Sequence, residues 1–185
     1  MNFYEKTAAQ TVHFQGHVIN LRVDDVVLPN GNNATREVVE HPGGVCVAAL
    51  TDKRELLFVR QFRYPYGEVL LELPAGKLDR NGEDPLEAGK RELREETGAT
   101  AAQYRSLGKL YPSPGYCAEI IHLYMAQDLT FGDSEPDEDE FLECERIPLD
   151  RAVEMVLNNE ITDAKTQVLV LKVTQLVEWS NPLGL

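Results

Sequence analysis

The residues best equipped for chemistry lie in one short run, Arg91-Glu-Leu-Arg-Glu-Glu-Thr-Gly98, in which Glu92, Glu95 and Glu96 stand three and four residues apart. At that spacing the three carboxylates share one face of a helix, while Leu86, Gly89 and Leu93 occupy another. Like charges so placed repel each other and destabilise an isolated helix. A divalent cation removes the conflict, because hard cations take carboxylate oxygens as ligands. The plain alternative is a solvated acidic face, the commoner fate of an arbitrary E-x-x-E-E. Two further residues stand upstream at fixed spacing, Gly76 and Glu83.

A helix is required to hold these carboxylates, and the signals for one run from Asp84 to Thr97, with Pro85 in the first turn and Gly98 just past the end. Around it the pattern is mostly of strands. Ile19, Leu21 and Val23 alternate with polar residues, the polar cluster 29–35 turns the chain, and 36–40 resumes as a return strand. Residues 45–50 and 56–62 are apolar runs flanking TDKRE and read as a hairpin into the core. Further strands are expected at 68–73, 102–111, 119–127 and 141–147, and closing helices at 149–157 and 164–179. There are too few strand–helix alternations for a doubly wound sheet, so the fold class is α+β.

Composition bounds the function. The chain has 185 residues and a formal net charge of -13. Such a chain repels phosphate backbones and anionic lipid, so nucleic-acid and membrane partners are not expected. Three scattered cysteines form no C-x-x-C pair, and neither a signal peptide nor an apolar run of bilayer length is present, which points to the cytoplasm. Gly76-Lys77 lacks the hydroxyl residue and upstream glycine of a P-loop.

Taken together, Gly76, Glu83, Arg91, Glu92, Glu95, Glu96 and Gly98 resemble the Nudix box, G-x5-E-x7-R-E-U-x-E-E-x-G-U. Two departures stand out: six residues separate Gly76 from Glu83, and Ala99 replaces a larger aliphatic. The resemblance implies an α/β/α sandwich around a mixed sheet and Mg2+-dependent hydrolysis of a nucleoside diphosphate linked to another moiety, with Mn2+ as a substitute. It implies Glu92 and Glu96 as main metal ligands, Glu95 as a further one and the Ala75 carbonyl as a neutral one. Arg91 would orient a glutamate, and Glu83 would be structural.

Outside the box, Pro114 lies sixteen residues beyond Gly98 within Pro112-Ser-Pro-Gly-Tyr116, and resembles the downstream proline of the ADP-ribose pyrophosphatase subgroup. Arg60-Gln-Phe-Arg63, Glu72-Leu-Pro-Ala-Gly76 and Asp163-Ala-Lys-Thr166 are similar to that subgroup too. Arg60 and Arg63 suit bidentate contact with phosphate, with a surface salt bridge as the alternative. Glu72, Pro114 and Tyr116 complete the expected substrate set, and Tyr64, Tyr66 and Tyr116 are candidates for stacking on adenine. The subgroup implies ADP-ribose as substrate; another nucleoside diphosphate sugar such as GDP-mannose, promiscuity, or a non-catalytic nucleotide sensor are the alternatives.

The acidic run 133–145 holds eight carboxylates. In related pyrophosphatases a glutamate from this loop positions or deprotonates the attacking water, with Glu140 the first candidate and Glu138 the second. Residues 1–41 are expected to form an antiparallel β appendage to a hydrolase domain spanning 42–185. Its strand-rich part, residues 11–41, is too short to stabilise itself alone. The related enzymes exchange this sheet within a homodimer, which makes Arg36 a candidate contact to the partner's site.

Overall fold

The computed structural model describes residues 2–78, 82–134 and 141–180, and these divide between two compact units. One comprises 1–43 with 111–120; the other comprises 44–110 with 121–185. Residues 111–120 thus group with the N-terminal strands, whereas the sequence boundary after residue 41 counted them with the larger part.

The smaller unit is an antiparallel sheet of β1 (Lys6–Gln15), β2 (Asn20–Val27) and β3 (Asn33–Glu40), in that order. β1 is exposed along its whole length and is bulged twice against β2. Its weak alternation gave no strand signal in the sequence. Buried Asp24 accepts hydrogen bonds from Gln10 and Arg22, and Arg22 also pairs with Glu40, so adjacent strands are tied by charge as well as by the ladder. Segment 111–120 docks through Val39, whose amide donates to the Tyr116 carbonyl at 2.8 Å and whose carbonyl accepts from Ala118 at 2.9 Å.

The larger unit contains two sheets. One has the order β7 (Ala75–Lys77), β4 (Gly44–Ala49), β9 (Ile121–Phe131), β8 (Ala99–Leu110); the other, β10 (Glu143–Pro148), β5 (Glu55–Arg63), β6 (Glu68–Glu72). The first is mixed, since β4 and β9 run parallel while the other pairs are antiparallel. Every residue of β4 is buried, and its side chains alternate between two cores. Val45, Val47 and Ala49 meet Ala88 and Leu93 of α1 (Pro85–Thr97). Cys46 and Ala48 meet Ala152 of α2 (Leu149–Leu157) and Leu169, Val170 and Val173 of α3 (Ala164–Ser180). A strand covered on both faces reads as a continuous apolar run, which is why 45–50 shows no alternation. This is the mixed α+β arrangement expected.

The hairpin expected from 45–50 and 56–62 does not form. A tight turn links the two strands, with the Thr51 amide donating to the Glu55 carbonyl at 2.9 Å, but their pairing stops at a single bridge between Leu50 and Leu56. Beyond that bridge β4 takes β9 as its parallel partner, while β5 pairs with β6 and β10.

Candidate active site

Local chemistry fixes both ends of α1. The Asp84 carboxylate accepts from the amides of Leu86 (2.9 Å) and Glu87 (3.2 Å), Pro85 begins the helix where its missing N–H is harmless, and Gly98 closes it in the left-handed region at φ 69°. Midway, Gly89 lets the helix approach β4: a Cβ there would lie 3.0 Å from Val45 and 3.1 Å from Val47. This close seating turns the acidic face inward.

Glu92 and Glu96 are therefore only 7% and 4% exposed. Glutamates are almost never so buried unless paired, so the solvated-face alternative does not describe these two. The Glu96 Oε2 atom accepts from the Ala75 amide at 3.1 Å. The Glu92 carboxylate lies against Gly76, in the space a Cβ would fill: a built Cβ would stand 2.0 Å from its carboxyl carbon and from Oε1. Arg91 gathers the surrounding acids, with Nη2 2.9 Å from Glu92 Oε1, Nη1 2.9 Å from Glu95 Oε2 and Nε 3.6 Å from Glu83 Oε1.

The donors around this turn are all hard oxygens, namely the Glu92, Glu95 and Glu96 carboxylates and the Ala75 carbonyl, which is the set a hard divalent cation accepts. The side-chain-free surface of Gly76 is what admits a carboxylate so close to the backbone. Among the described residues no three acidic, His or Cys side chains converge on one point. Instead Glu92 and Glu95 turn to Arg91, and Glu96 to the Ala75 amide.

A second cluster surrounds the residue that opens the same turn. Glu72 is 1% exposed and receives the Arg63 guanidinium in a bidentate pair, Nε to Oε1 at 2.6 Å and Nη2 to Oε2 at 2.7 Å. Lys165 reaches Glu72 Oε2 from the first turn of α3 and also binds Asp163 Oδ1 at 3.0 Å. Burial by itself would raise the Glu72 carboxyl, but the hydrogen bond from Arg63 and the charges of Lys165 and Arg63 outweigh it and hold the group below its ordinary range. For Lys165 burial acts downward, yet Asp163 and Glu72 prevail and raise it. The Cys46 thiol beside this cluster is pushed far up by burial and is an inert packing group.

The other sequence-derived candidates are placed as follows. Arg60 forms a surface pair with Glu145, 2.7 Å between Nε and Oε1. Tyr64 and Tyr66 are exposed in the turn after β5. Within the smaller unit, Pro114 and exposed Tyr116 lie on the docked segment, and Arg36 is held by Glu5 through contacts of 2.9 and 2.7 Å. Glu138 and Glu140 fall outside the described residues. Lys165 and Thr166 belong to the Asp163-Ala-Lys-Thr166 stretch, whose spacing alone names no role for them; Thr166 Oγ1 accepts from the Leu73 amide at 2.9 Å.

A NUDIX domain family model matches residues 40–172, well over half of the chain. The chain belongs to the NUDIX family. It is 45% identical over 164 residues to an ADP-ribose pyrophosphatase of Bacillus subtilis (strain 168), covering 88% of each chain. It is 43% identical over 178 residues to a methanol dehydrogenase activator of Bacillus methanolicus, covering 95% of each. A GDP-mannose pyrophosphatase of Salmonella paratyphi B is 35% identical over 148 residues, 73% of this chain and 75% of that one. Among solved structures, that of an ADP compounds hydrolase superposes with a TM-score of 0.85 over 98% of each chain at 22% identity, a likeness of fold.

In this NUDIX chain the extra residue between Gly76 and Glu83 falls in a segment whose residues 79–81 lie outside the described ones. The small Ala99 is fully buried in the core under α1.

Proposed function

We propose that this NUDIX hydrolase cleaves the pyrophosphate of ADP-ribose in a Mg2+-dependent reaction, adding one water across the P–O–P bridge to give AMP and ribose 5-phosphate. The observation that carries the reading is the burial of Glu92 and Glu96 against the Ala75–Gly76 turn, which brings two carboxylates to one stretch of backbone and so gathers the hard oxygen ligands that suit a divalent cation. The 45% identity to an ADP-ribose pyrophosphatase over most of the chain supports the choice of substrate.

Glu92, Glu96, Glu95 and the Ala75 carbonyl would hold the ion, with Mn2+ able to replace Mg2+. When bound, the ion neutralises the pyrophosphate and polarises the attacking water. Arg91 keeps the carboxylates oriented through its contacts to Glu92 and Glu95. Glu140, or failing it Glu138, accepts the proton of the attacking water. Arg60 and Arg63 are the substrate-binding candidates of the larger unit and Pro114 and Tyr116 those of the smaller, while buried Glu72 serves as the partner that orients Arg63, and the protein works in the cytoplasm.

The active form is a homodimer in which the N-terminal sheet pairs two copies and Arg36 reaches the partner's site. Exposure of Val12 and Phe14 on β1 (53% and 55%) supports a covered role for that strand. Light scattering should give a mass of about 42 kDa, twice the 20.8 kDa of one chain. A monomer with full activity would overturn the dimer.

The decisive test is Glu96→Gln, assayed with ADP-ribose and GDP-mannose side by side in Mg2+, Mn2+ and chelator. The substitution should lower turnover of ADP-ribose by at least about a hundredfold, because it removes a ligand charge without changing shape. Turnover near that of the parent chain at saturating Mg2+ refutes the assignment, and faster cleavage of GDP-mannose by the parent replaces the substrate.

A further inference from the structure

Arg63 and a stretch about ninety residues downstream of the turn, 163–166, meet at one short turn, 72–76. Segment 72–76 is held residue by residue. The Glu72 side chain is clamped by Arg63 and Lys165, the Leu73 amide donates to Thr166 Oγ1, the Pro74 carbonyl accepts from the Val47 amide at 2.9 Å, and the Ala75 amide donates to Glu96. Gly76 then supplies the bare surface on which the Glu92 carboxylate rests.

Two of these restraints come from the first turn of α3. Asp163 stands just ahead of the helix and accepts from the Thr166 amide at 2.9 Å, the bond an N-cap residue makes to the third helical position. Its other oxygen takes Lys165 at 3.0 Å. Lys165 is thereby aimed at Glu72 before any substrate arrives. Its side chain is 13% exposed and that of Glu72 1%, so the pair is well shielded from screening by solvent.

We propose that Lys165, together with Thr166, is a positioning residue: the first turn of α3 sets the 72–76 turn so that the Ala75 carbonyl and the carboxylates of Glu92 and Glu96 face a common ion. This rests on the metal reading above. Neither residue touches the ion; both act through Glu72 and Leu73. Groups behind metal ligands typically change affinity or turnover ten- to a hundredfold when removed.

The test is direct Mn2+ binding followed by electron paramagnetic resonance, without substrate, alongside kinetics with ADP-ribose. Lys165→Met keeps the length of the side chain and removes its charge. It should raise the Mn2+ dissociation constant at least about tenfold and lower kcat by a similar factor, with KM changed less than about threefold. Glu72→Gln combined with Lys165→Met should be no worse than the more damaging single variant, since both act on one turn. Mn2+ affinity and kcat within twofold of the parent, with only the melting temperature lowered, would make Lys165 a structural residue and overturn the proposal. A rise confined to KM would do so as well, by making it a substrate contact. Should Lys165→Met fail to fold, Thr166→Val leaves the charges paired and removes only the acceptor for the Leu73 amide. A rise of about threefold or more in the Mn2+ dissociation constant supports the proposal, and a smaller one overturns it. If the parent chain itself binds no Mn2+, the metal reading falls and the proposal with it; binding by the parent that Lys165→Met leaves intact sinks the proposal alone.

Discussion

Replacing Gly76 by alanine separates what the fold needs from what the chemistry needs. Gly76 is not among the positive-φ glycines, so an L-residue fits its backbone, and Gly→Ala at such a site stabilises by about 0.4–1 kcal/mol through the unfolded chain. The new Cβ would stand 2.0 Å from the Glu92 carboxyl carbon, whereas ordinary contact begins at 3.4 Å. The carboxylate must therefore retreat by about 1.4 Å, a distance set by those two contacts. Because the obstacle is the end of a flexible side chain, the retreat costs about 0.5–1.5 kcal/mol in rotamer strain. The two effects nearly cancel, and Tm should stay within about 3 °C of the parent. Activity should not: a misplacement of about 1 Å can cost a hundredfold, about 2.7 kcal/mol of barrier. Thermal melts and phosphatase-coupled release of phosphate from ADP-ribose measure the two quantities on one preparation. A kcat within threefold of the parent at unchanged Tm would refute the cradle, and a fall in Tm beyond about 10 °C would show that Gly76 serves the backbone instead.

Gly98→Ala should behave oppositely. At φ 69° a Cβ is strained and would stand 2.3 Å from the Gly132 carbonyl oxygen, so stability should fall by at least about 1–3 kcal/mol while kcat per folded molecule is retained; a Tm equal to the parent's would contradict this. Stability against pH should show a plateau with two limbs. Glu72 sits below its ordinary 4.5, so its contribution is present above that value and is lost as pH falls through its lowered pKa; Lys165 sits above its ordinary 10.5, so its contribution is complete below that value and is lost as pH rises through its raised pKa. Urea midpoints across pH check this, and Glu72→Gln should flatten the acid limb; an acid limb of undiminished depth in that variant would place its origin elsewhere. Glu140→Gln should lower kcat far more than it changes KM, and the same signature from Glu138→Gln alone would move the base to that residue.

What the sequence made legible was local. The cap at Asp84, Pro85 and the stop at Gly98 announce α1 because each acts within a few residues of itself, and α2 starts and ends where its apolar spacing does. The carboxylate spacing was equally readable, being a property of one helix. Its burial was not, because that depends on Gly89 seating the helix on β4, a contact between elements about 40 residues apart in sequence. The misread hairpin has the same origin: the run 45–50 carries its own two-sided hydrophobicity but no mark naming 121–126 as its parallel partner. β1 was missed for the converse reason, since a strand exposed along its whole length need not alternate.

Arg63 shows the limit most clearly. Residue type offers it as a phosphate ligand or a salt-bridge partner, and the structure binds its guanidinium to Glu72, nine residues on, while Lys165, ninety-three residues beyond Glu72, completes the clamp. Such a clamp leaves no periodic trace, yet it constrains what Arg63 can do. Two of its five donors are spent on Glu72, and the plane of the guanidinium is fixed before substrate binds. A phosphate that meets Arg63 must then approach the end of the guanidinium, where two Nη1 donors and the second Nη2 donor remain. Under the proposed function such an approach would tie substrate position to the turn that carries Ala75 and Gly76, and the buried Glu72 carboxylate would then bear on both the phosphate and the metal ligands.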